Sequence, residues 1–357
     1  MKPYDVIVIG GGQSALACAY YLKKTGLNYV ILDNQATPGG SWLHTWDSLT
    51  LFSATDSSSL PGWLMPPSKG PFPTRDEVLS YLLEYEQRYA FHIKRPVYIT
   101  AVHRTSEGFE ILAESERYVS KAVIAATGTW KAPYIPGVKG REDFNGVQLH
   151  SAFYKNAQPF VGAKVLVVGG GNSGAQILAE LSTITETVWS TLTPPTFLPD
   201  DVDGRVLFNI TTQKYLAQKE GKPFNPGNYS LGSIVMVPSV LDARKRGILH
   251  SKGPFVAMTE EGVVWENGST EHFDAIIWCT GFKPATLFLK PLGIVQPDGK
   301  VKTSGTKATE AEGLWLVGYG SWTGFASATL LGVGRSARDT VKQIENFINN
   351  QHENSPL

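Results

Sequence analysis

The sequence predicts an α/β protein made of two similar strand–turn–helix units, the second inserted in the first, together with a small antiparallel sheet. An apolar run that ends in glycines and passes into an alanine-rich stretch occupies residues 4–19, and a partial copy occupies residues 165–181. Each unit also contains a later apolar strand that ends in Thr-Gly, at residues 127–128 and 280–281. Strands alternating with helical segments favour parallel sheets. We place the first domain at residues 1–155 and 282–357 and the second at 156–281.

The first glycine turn is typical of a Rossmann-like dinucleotide-binding domain. Gly10 and Gly12 stand where the backbone must come close to a pyrophosphate, and the helix that begins with Gln13 and Ser14 offers free N–H groups to the phosphates. Asp33 ends the next apolar run, near the ~20-residue spacing at which an acid accepts the ribose 2′-OH. The first unit is therefore predicted to bind a dinucleotide with a free 2′-OH, such as FAD or NAD.

The second glycine turn predicts a second dinucleotide site of different character. Its residues are Gly169, Gly171, Asn172 and Ser173. Its second strand ends without an acid, in Thr191, Leu192 and Thr193, and no Arg or Lys occurs between Lys164 and Arg205. No sequence neighbour is therefore available to pair with a 2′-phosphate, although a basic residue from elsewhere could reach it. We predict a nicotinamide site that takes NADPH and/or NADH.

The remaining elements frame these two turns. Residues 74–77 form a capping box that opens a helix to about residue 90, and residues 97–123 read as antiparallel strands. The loop Gly40-Ser41-Trp42 either allows the close approach of a large planar ligand or is an ordinary packed loop. Residues 192–262 are irregular and proline-rich, with one helix predicted over 207–218. This insertion is interpreted as a cover over the active site, with a disordered excursion as the rival.

Composition excludes several classes of function. Lys plus Arg and Asp plus Glu both number 32, which gives no electrostatic case for nucleic acid or an anionic membrane. The two cysteines, Cys18 and Cys279, are too few for a disulfide framework or a metal site. No apolar stretch reaches the ~18 residues of a membrane span. We expect a cytoplasmic protein without a metal, and a homodimer is left open.

Two nucleotide sites on one chain suggest that a nicotinamide reduces a flavin. The last helix is expected to begin near Phe325, where its dipole would stabilise the negative charge of reduced flavin. A helix that merely caps the sheet is the alternative. A disulfide reductase needs a redox pair such as C-x-x-C, which these cysteines cannot supply. Dioxygen, a quinone or another small oxidant remains as the electron acceptor.

The segment before the second turn carries a family fingerprint. Phe144, Gly146, His150 and Tyr154 match the F-x-G-x-x-x-H-x-x-x-(F/Y) pattern of flavin-containing monooxygenases. The chain resembles this family from about residue 4 to residue 349, and looks closest to its short bacterial members. In the family this motif organises the domain junction and does not transfer protons. Further matches are Gly10, Gly12, Gly39, Gly40, Ser41, Trp42, Thr127, Gly128, Gly169, Gly171, Asn172, Ser173, Gly174, Cys279, Thr280 and Gly281.

The resemblance implies a class B flavoprotein monooxygenase. NAD(P)H would reduce FAD, dioxygen would add at flavin C4a, and one oxygen would pass to a thioether or amine, or to a ketone. The implied partners are a small-molecule substrate and O2. FAD contacts are expected from Gly10, Gly12, Gln13, Ser14, Asp33, Gly40, Ser41, Trp42, Thr127, Gly128, Tyr319 and Phe325. Nicotinamide contacts are expected from Gly169, Gly171, Asn172, Ser173, Thr191, Leu192, Thr193, Cys279 and Thr280.

Three departures from the family pattern keep alternatives open. Lys155 follows Tyr154 where the Baeyer–Villiger enzymes usually have Trp-Pro. Tyr319 stands where many flavoproteins of this fold have an Asp near the ribityl chain, and Phe52 where the animal enzymes have an Asn beside the flavin. Phe52 and Asn172 are the active-site candidates. An NAD(P)H oxidase or reductase that releases hydrogen peroxide is the first alternative, and a non-catalytic flavin-binding sensor the second.

Overall fold

The computed structural model describes residues 3–200, 233–324 and 326–353, with positions 202, 206, 210, 213, 217 and 220–223 between them. The chain divides into two compact units. The first comprises Met1–Leu43, Ala54–Ala132 and Lys283–Leu357, and the second comprises His44–Ser53 and Pro133–Phe282. The longer segment of the second unit thus lies between two segments of the first along the chain, as the fold prediction requires.

The strands and helices are numbered here in chain order. The strands are β1 Tyr4–Ile9, β2 Tyr29–Leu32, β3 Ile93–Lys94, β4 Ile99–Thr105, β5 Gly108–Ala113, β6 Arg117–Ala125, β7 Val147–His150, β8 Lys164–Val168, β9 Glu186–Ser190, β10 Phe255–Met258, β11 Gly262–Trp265, β12 Thr270–His272, β13 Ala275–Trp278, β14 Thr303–Ser304, β15 Lys307–Ala308 and β16 Leu314–Leu316. The helices are α1 Gln13–Leu22, α2 Arg75–Tyr89, α3 Asn172–Leu181, α4 Pro238–Lys245 and α5 Leu330–Glu353.

The first unit is built on one nine-stranded sheet. Its central strands β16, β6, β1, β2 and β3 are parallel neighbours in that order. β4, β5 and the start of β6 form the predicted antiparallel part, so β6 belongs to both arrangements. The side chains of β1 from Val6 to Ile9 are buried, which is expected for a parallel strand covered on both faces.

The second unit contains a four-stranded parallel sheet in the order β7, β13, β8, β9. A separate three-stranded antiparallel sheet, β10 to β12, lies at residues 255–272. The mixed α/β fold class is confirmed. The second domain is predicted to start at residue 156, whereas the longer segment of the second unit starts at Pro133, because β7 pairs with β13 and carries residues 147–150 into the second sheet.

A local sequence signal explains the start of α2. The predicted capping box is present, with the Thr74 hydroxyl accepting from Glu77 N at 3.3 Å and Thr74 N donating to Glu77 Oε2 at 2.8 Å. α1 packs small side chains such as Ala15, Cys18 and Ala19 against the sheet, all fully buried. The helix predicted over 207–218 falls mostly outside the described residues. α4 and β10 were missed within the 192–262 insertion, which is more regular than predicted.

Two further features of the described residues concern a membrane span and a metal site. No described helix has both the length and the apolar character needed to cross a bilayer. The described residues also contain no group of three or more His, Cys, Asp or Glu side chains arranged to hold a metal ion.

Candidate functional site

The first glycine turn brings three strand ends together. Gly10 N donates to Leu32 O at 2.8 Å, which continues the pairing of β1 with β2. A Cβ on Gly10 would lie 2.6 Å from Ala126 O, and its φ of +107° also disfavours any other residue. A Cβ on Gly11 would collide with the Asp33 carboxylate. The turn therefore requires glycine for packing at two successive positions.

The start of α1 lies close to the backbone of Gly40. Gly12 is its N-cap, and no side chain among the described residues caps it. A Cβ on Gly40 would lie 2.7 Å from Gly12 Cα, so the two backbones pass each other closely. Uncapped N–H groups at the positive end of a helix, next to backbone without side chains, form a site that fits a pyrophosphate. The predicted roles of Gly10, Gly12 and Gly40 are consistent with this geometry.

The side chains of Gln13 and Trp42 hold the neighbouring loops in place. Trp42 Nε1 donates to Gln13 Oε1 at 3.0 Å, and Gln13 Nε2 donates to Ala328 O at 2.7 Å. Ser41 is exposed. The Trp42 N–H and one donor and one acceptor position of the Gln13 carboxamide are thus engaged with protein groups.

Asp33 is buried in an ion-pair network that sequence analysis did not anticipate. Arg95 Nε donates to Asp33 Oδ2 at 2.7 Å, and Arg95 Nη1 donates to Glu86 Oε1 at 2.7 Å. Burial lowers the pKa of Arg95, but the Glu86 and Asp33 carboxylates raise it more, and the net pKa lies above its usual value. Arg95 Nη2 and Glu86 Oε2 are buried without a hydrogen-bond partner among the described residues.

Tyr319 is joined to Thr127 at the end of β6. The two hydroxyl oxygens are 2.7 Å apart, and Thr127 N donates to the Tyr319 oxygen at 3.3 Å. Thr127 Oγ1 donates onward to Ala285 O at 2.8 Å. Burial raises the pKa of Tyr319 to about 12, so its phenol stays protonated. Tyr319 is thus a neutral hydrogen-bonded residue where many related flavoproteins have a carboxylate.

Two predictions concern the segment before the last helix. Phe325 lies outside the described residues, so the structure does not test its contact with FAD. α5 begins at Leu330, five positions after the helix start expected near Phe325. Before it, Ser327 Oγ donates to Gly320 O at 2.7 Å and Gly332 N donates to Thr329 Oγ1 at 3.0 Å. The Thr329 hydroxyl thus caps the first turn of α5, which explains the helix start at Leu330.

The second glycine turn repeats the geometry of the first. Gly169 N donates to Ser190 O at 2.9 Å, and a Cβ on Gly169 would collide with Cys279 O. Gly171 is the N-cap of α3, and again no described side chain caps the helix. A Cβ on Gly171 would meet open space. The second turn therefore offers the same arrangement of free N–H groups to a phosphate.

Asn172 is held by the returning end of the insertion. Its Oδ1 accepts from Val235 N at 2.9 Å, and its Nδ2 donates to Ser233 O at 3.4 Å. The segment from Ile234 to Val237 is almost fully buried. The carboxamide of this predicted active-site residue is thus used to anchor the insertion beside the glycine turn, next to the half-buried Ser173.

The end of β9 is lined by hydroxyl groups. Thr191 is buried, with Oγ1 lying 2.7 Å from Ser251 Oγ and 2.8 Å from Thr193 O. Leu192 is 89% exposed. Ser251 pairs with Trp189 in a parallel bridge on the free edge of β9. Thr191 is one of the predicted nicotinamide contacts, whereas Ser251, 60 positions further along the chain, was not predicted.

The fingerprint residues serve packing within the second unit. His150 Nε2 lies 2.9 Å from Gly281 O and His150 Nδ1 accepts from Ala152 N at 3.0 Å, which fixes the tautomer with a proton on Nε2. Burial lowers the pKa of His150, although the hydrogen bond to Gly281 opposes the shift. Phe144 and Tyr154 are buried, and a Cβ on Gly146 would lie 2.6 Å from Asp274 O.

Three further predicted residues lie in the second unit. Thr280 Oγ1 donates to Tyr134 O, which fixes the chain at Thr280-Gly281 after the end of β13. Burial raises the pKa of Cys279 to about 12, and a hydrogen bond with Ser151 only partly offsets this, so Cys279 is an inert thiol. Phe52 is half-buried within the segment His44–Ser53, which groups with the second unit and not with the predicted FAD domain.

Comparisons with known proteins agree with this arrangement. The model of the pyridine nucleotide-disulphide oxidoreductase family matches residues 7–212. The uncharacterized oxidoreductase CzcO of Bacillus subtilis (strain 168) is 31% identical over 353 residues, covering 96% of this chain and 99% of its own. Senecionine N-oxygenase of Tyria jacobaeae is 26% identical over 329 residues, covering 85% of this chain and 61% of its own.

Solved structures give a closer match. The flavin-containing monooxygenase from Stenotrophomonas maltophilia superposes with a TM-score of 0.90 at 48% identity, over 97% of this chain and 99% of that one. The bacillithiol disulfide reductase of Staphylococcus aureus has a TM-score of 0.69 at 19% identity, which shows a shared fold alone.

Proposed function

The chain belongs to the pyridine nucleotide-disulphide oxidoreductase family, among its bacterial flavin monooxygenases, and on that basis we propose that it oxygenates small molecules with FAD, NAD(P)H and O2. Its preferred substrates are soft nucleophiles such as thioethers and amines, with ketones as a further class. The name of senecionine N-oxygenase, a relative over most of this chain, supports nitrogen as one site of oxygenation.

The observation that carries the proposal is the pair of equivalent glycine turns, each followed by an uncapped helix N-terminus. The first is proposed to take FAD, because Gly12 and Gly40 present backbone without side chains there, and buried polar atoms of Arg95 and Glu86 lack hydrogen-bond partners among the described residues. Gly10, Gly12, Ser14 and Asp33 would hold it. Bound FAD would take electrons from the nicotinamide and deliver them to dioxygen.

The second turn is proposed to hold NAD(P)H through Gly169, Gly171 and the first N–H groups of α3. We assign FAD to the first unit and the nicotinamide to the second. The chain's own contribution to the chemistry is to bind both cofactors and exclude water around them. That the 192–262 insertion covers the active site stays a prediction, as do the contacts of Phe325 and Phe52 with the flavin. A cytoplasmic location and a homodimer are likewise proposals.

A thiol–disulfide reaction is not supported. The chain has two cysteines, of which Cys18 is buried and Cys279 half-buried, and desolvation raises the pKa of both thiols well above the usual value. A redox cysteine needs an accessible thiolate and a nearby partner. Cys18 lies within α1 and Cys279 follows β13, so neither meets this requirement. Dioxygen is therefore the proposed electron acceptor.

Purified protein should be yellow and should consume NADH or NADPH. With methyl phenyl sulfide as substrate, the amounts of sulfoxide and hydrogen peroxide should be measured against the nicotinamide oxidised. We expect sulfoxide to account for most of the nicotinamide. Peroxide formed in equal amount to oxidised nicotinamide, without sulfoxide, would establish the oxidase alternative. Protein that binds FAD but turns over neither nicotinamide would establish the sensor alternative.

A further inference from the structure

We propose that Ser251, acting with Thr191, forms a neutral hydroxyl pair that contacts the 2′ position of the NAD(P)H adenosine ribose and sets the choice between NADH and NADPH. This inference rests on the proposed function of the second unit as the nicotinamide site. It assigns a specificity-determining role to a residue that lies far from the glycine turn in sequence.

The two units supply the argument, because Thr191 is the positional equivalent of Asp33. Ile9 pairs with Leu32 in the first unit, and Val168 pairs with Ser190 in the second, so Asp33 and Thr191 each follow the last paired residue. Each also lies against the middle glycine of its turn. A Cβ on Gly11 would meet Asp33, and a Cβ on Gly170 would lie 3.3 Å from Thr191 Cγ2.

The partner of each residue comes from the next parallel segment of the sheet. Asp33 is held by Arg95, which directly follows β3, the parallel neighbour of β2. Thr191 is held by Ser251, which forms a parallel bridge with Trp189 of β9. Lys252 N donates to Trp189 O at 2.8 Å, and Ser190 Oγ donates to Gly253 O at 2.8 Å, so this pairing is held on both sides of Ser251.

The hydrogen bonds leave Ser251 with a lone pair to offer. Thr191 Oγ1 has a single proton and lies 2.8 Å from the Thr193 carbonyl oxygen, which can only accept, so this proton is donated to Thr193 O. Ser251 Oγ therefore donates to Thr191 Oγ1 at 2.7 Å and accepts from Gly253 N at 3.1 Å. One lone pair of the half-buried Ser251 Oγ has no donor among the described hydrogen bonds. A ribose 2′-OH can donate to this lone pair, and the Ser251 hydroxyl can rotate to donate to a 2′-phosphate oxygen instead.

The nearest cation in this segment is engaged elsewhere. Lys252 Nζ lies 2.6 Å from Glu271 Oε2 and 4.7 Å from the centre of the Trp265 ring. Glu271 is also paired with Lys164 at 3.1 Å. We call the part of each site beside the ribose 2′ position its 2′ corner. An acid at the 2′ corner would repel a 2′-phosphate, and an arginine would attract it. A pair of hydroxyls does neither, so this corner accepts both cofactors.

The test uses 5′-AMP and 2′,5′-ADP as probes, since they differ only in the 2′-phosphate and need no turnover. Their dissociation constants should be measured by calorimetry on the FAD-loaded protein. We expect Ser251→Asp to raise the dissociation constant of 2′,5′-ADP about tenfold or more, the equivalent of about 1.4 kcal/mol. The dissociation constant of 5′-AMP should change less than about threefold. Ser251→Arg should tighten 2′,5′-ADP by a similar factor.

Two control variants make the outcome decisive. Thr191→Val keeps the shape of the side chain and removes the hydroxyl. It should raise the dissociation constants of both probes by the same factor. His250→Ala changes the exposed preceding residue and should alter neither probe. Equal shifts of both probes in the Ser251 variants, or a larger 2′,5′-ADP effect at His250, would overturn the assignment. Probe selectivity as expected without any sulfoxide would instead retain the assignment and reject oxygenation.

Discussion

Arg95 Nε lies 2.7 Å from Asp33 Oδ2, with 11% of the arginine side chain and 3% of the aspartate side chain exposed. The same guanidinium bonds Glu86, so one cation balances two carboxylates at the end of β2. Buried charges of this kind are stable only when their partners are present. The pair therefore contributes to the stability of the first unit and fixes the position of the Asp33 carboxylate.

Replacement of Arg95 by leucine should be strongly destabilising. It leaves Asp33 and Glu86 buried without their cation, and we expect the free energy of unfolding to fall by about 3–5 kcal/mol. Urea unfolding of the FAD-loaded protein measures this change, and flavin fluorescence measures the release of FAD. Arg338→Leu, at an exposed pair with Asp339, should change stability by less than about 1 kcal/mol. Equal losses in the two variants would contradict the network.

Asn172 should be required to anchor the segment 233–237. Asn172→Ala removes a bond to Val235 N and one to Ser233 O, and leaves buried backbone groups unpaired, at a cost of about 1–3 kcal/mol. Hydrogen exchange of the Val235 amide should become faster. Asn172→Asp retains the acceptor and loses the donor, and should have the smaller effect on Val235. Asn349→Ala, on the exposed face of α5, is the control. Unchanged exchange at Val235 would reject the anchor.

Gly169→Ala should abolish nicotinamide binding while the protein retains FAD. The added methyl would collide with Cys279 O, and the φ of +126° disfavours alanine. The measurement is nicotinamide titration by calorimetry together with the flavin content of the purified variant. Gly268→Ala is the control, because Gly268 also has positive φ but its Cβ would meet open space. Loss of FAD and nicotinamide together in Gly169→Ala would show a general folding defect.

His150 should make the protein less stable in acid. Burial lowers its pKa in the folded state, so the unfolded chain binds the proton more readily once the pH falls below the unfolded pKa of about 6.5. Its contribution is up to about 1.4 kcal/mol of lost stability per pH unit below that value, and nothing well above it. Unfolding of wild type and His150→Asn from pH 8 to pH 5 should show a shallower acid slope in the variant. Parallel slopes would mean that His150 is not the responsible group.

The glycine turns were predictable because their signal is local. Gly10, Gly12 and Gly169 lie next to the strands and helices that need them, and the hydrophobic pattern on each side identifies those elements. The capping box at Thr74 is equally local and was confirmed. Asp33 was placed by its distance from the first turn, and it does follow β2 directly and lie beside that turn.

Arg95 and Ser251 were not predictable, because they reach their partners through parallel pairing. Arg95 is 62 positions from Asp33, and Ser251 is 60 positions from Thr191. Parallel neighbours are joined by long crossovers, so nothing in the local sequence records which segment will lie alongside. The bond between Asn172 and Val235 was not predictable for a similar reason, since Val235 returns to Asn172 only after the insertion.

The contrast between the two 2′ corners bears on how each site can change through evolution. Substitution of Asp33 alone would leave Arg95 with one carboxylate for a buried cation that now has two, so the first corner can change safely only through coordinated replacements. At the second corner, a change at half-buried Ser251 leaves no buried charge behind. On the proposed assignment of the two sites, nicotinamide preference can therefore drift among close relatives by single mutations, while the flavin nucleotide stays fixed.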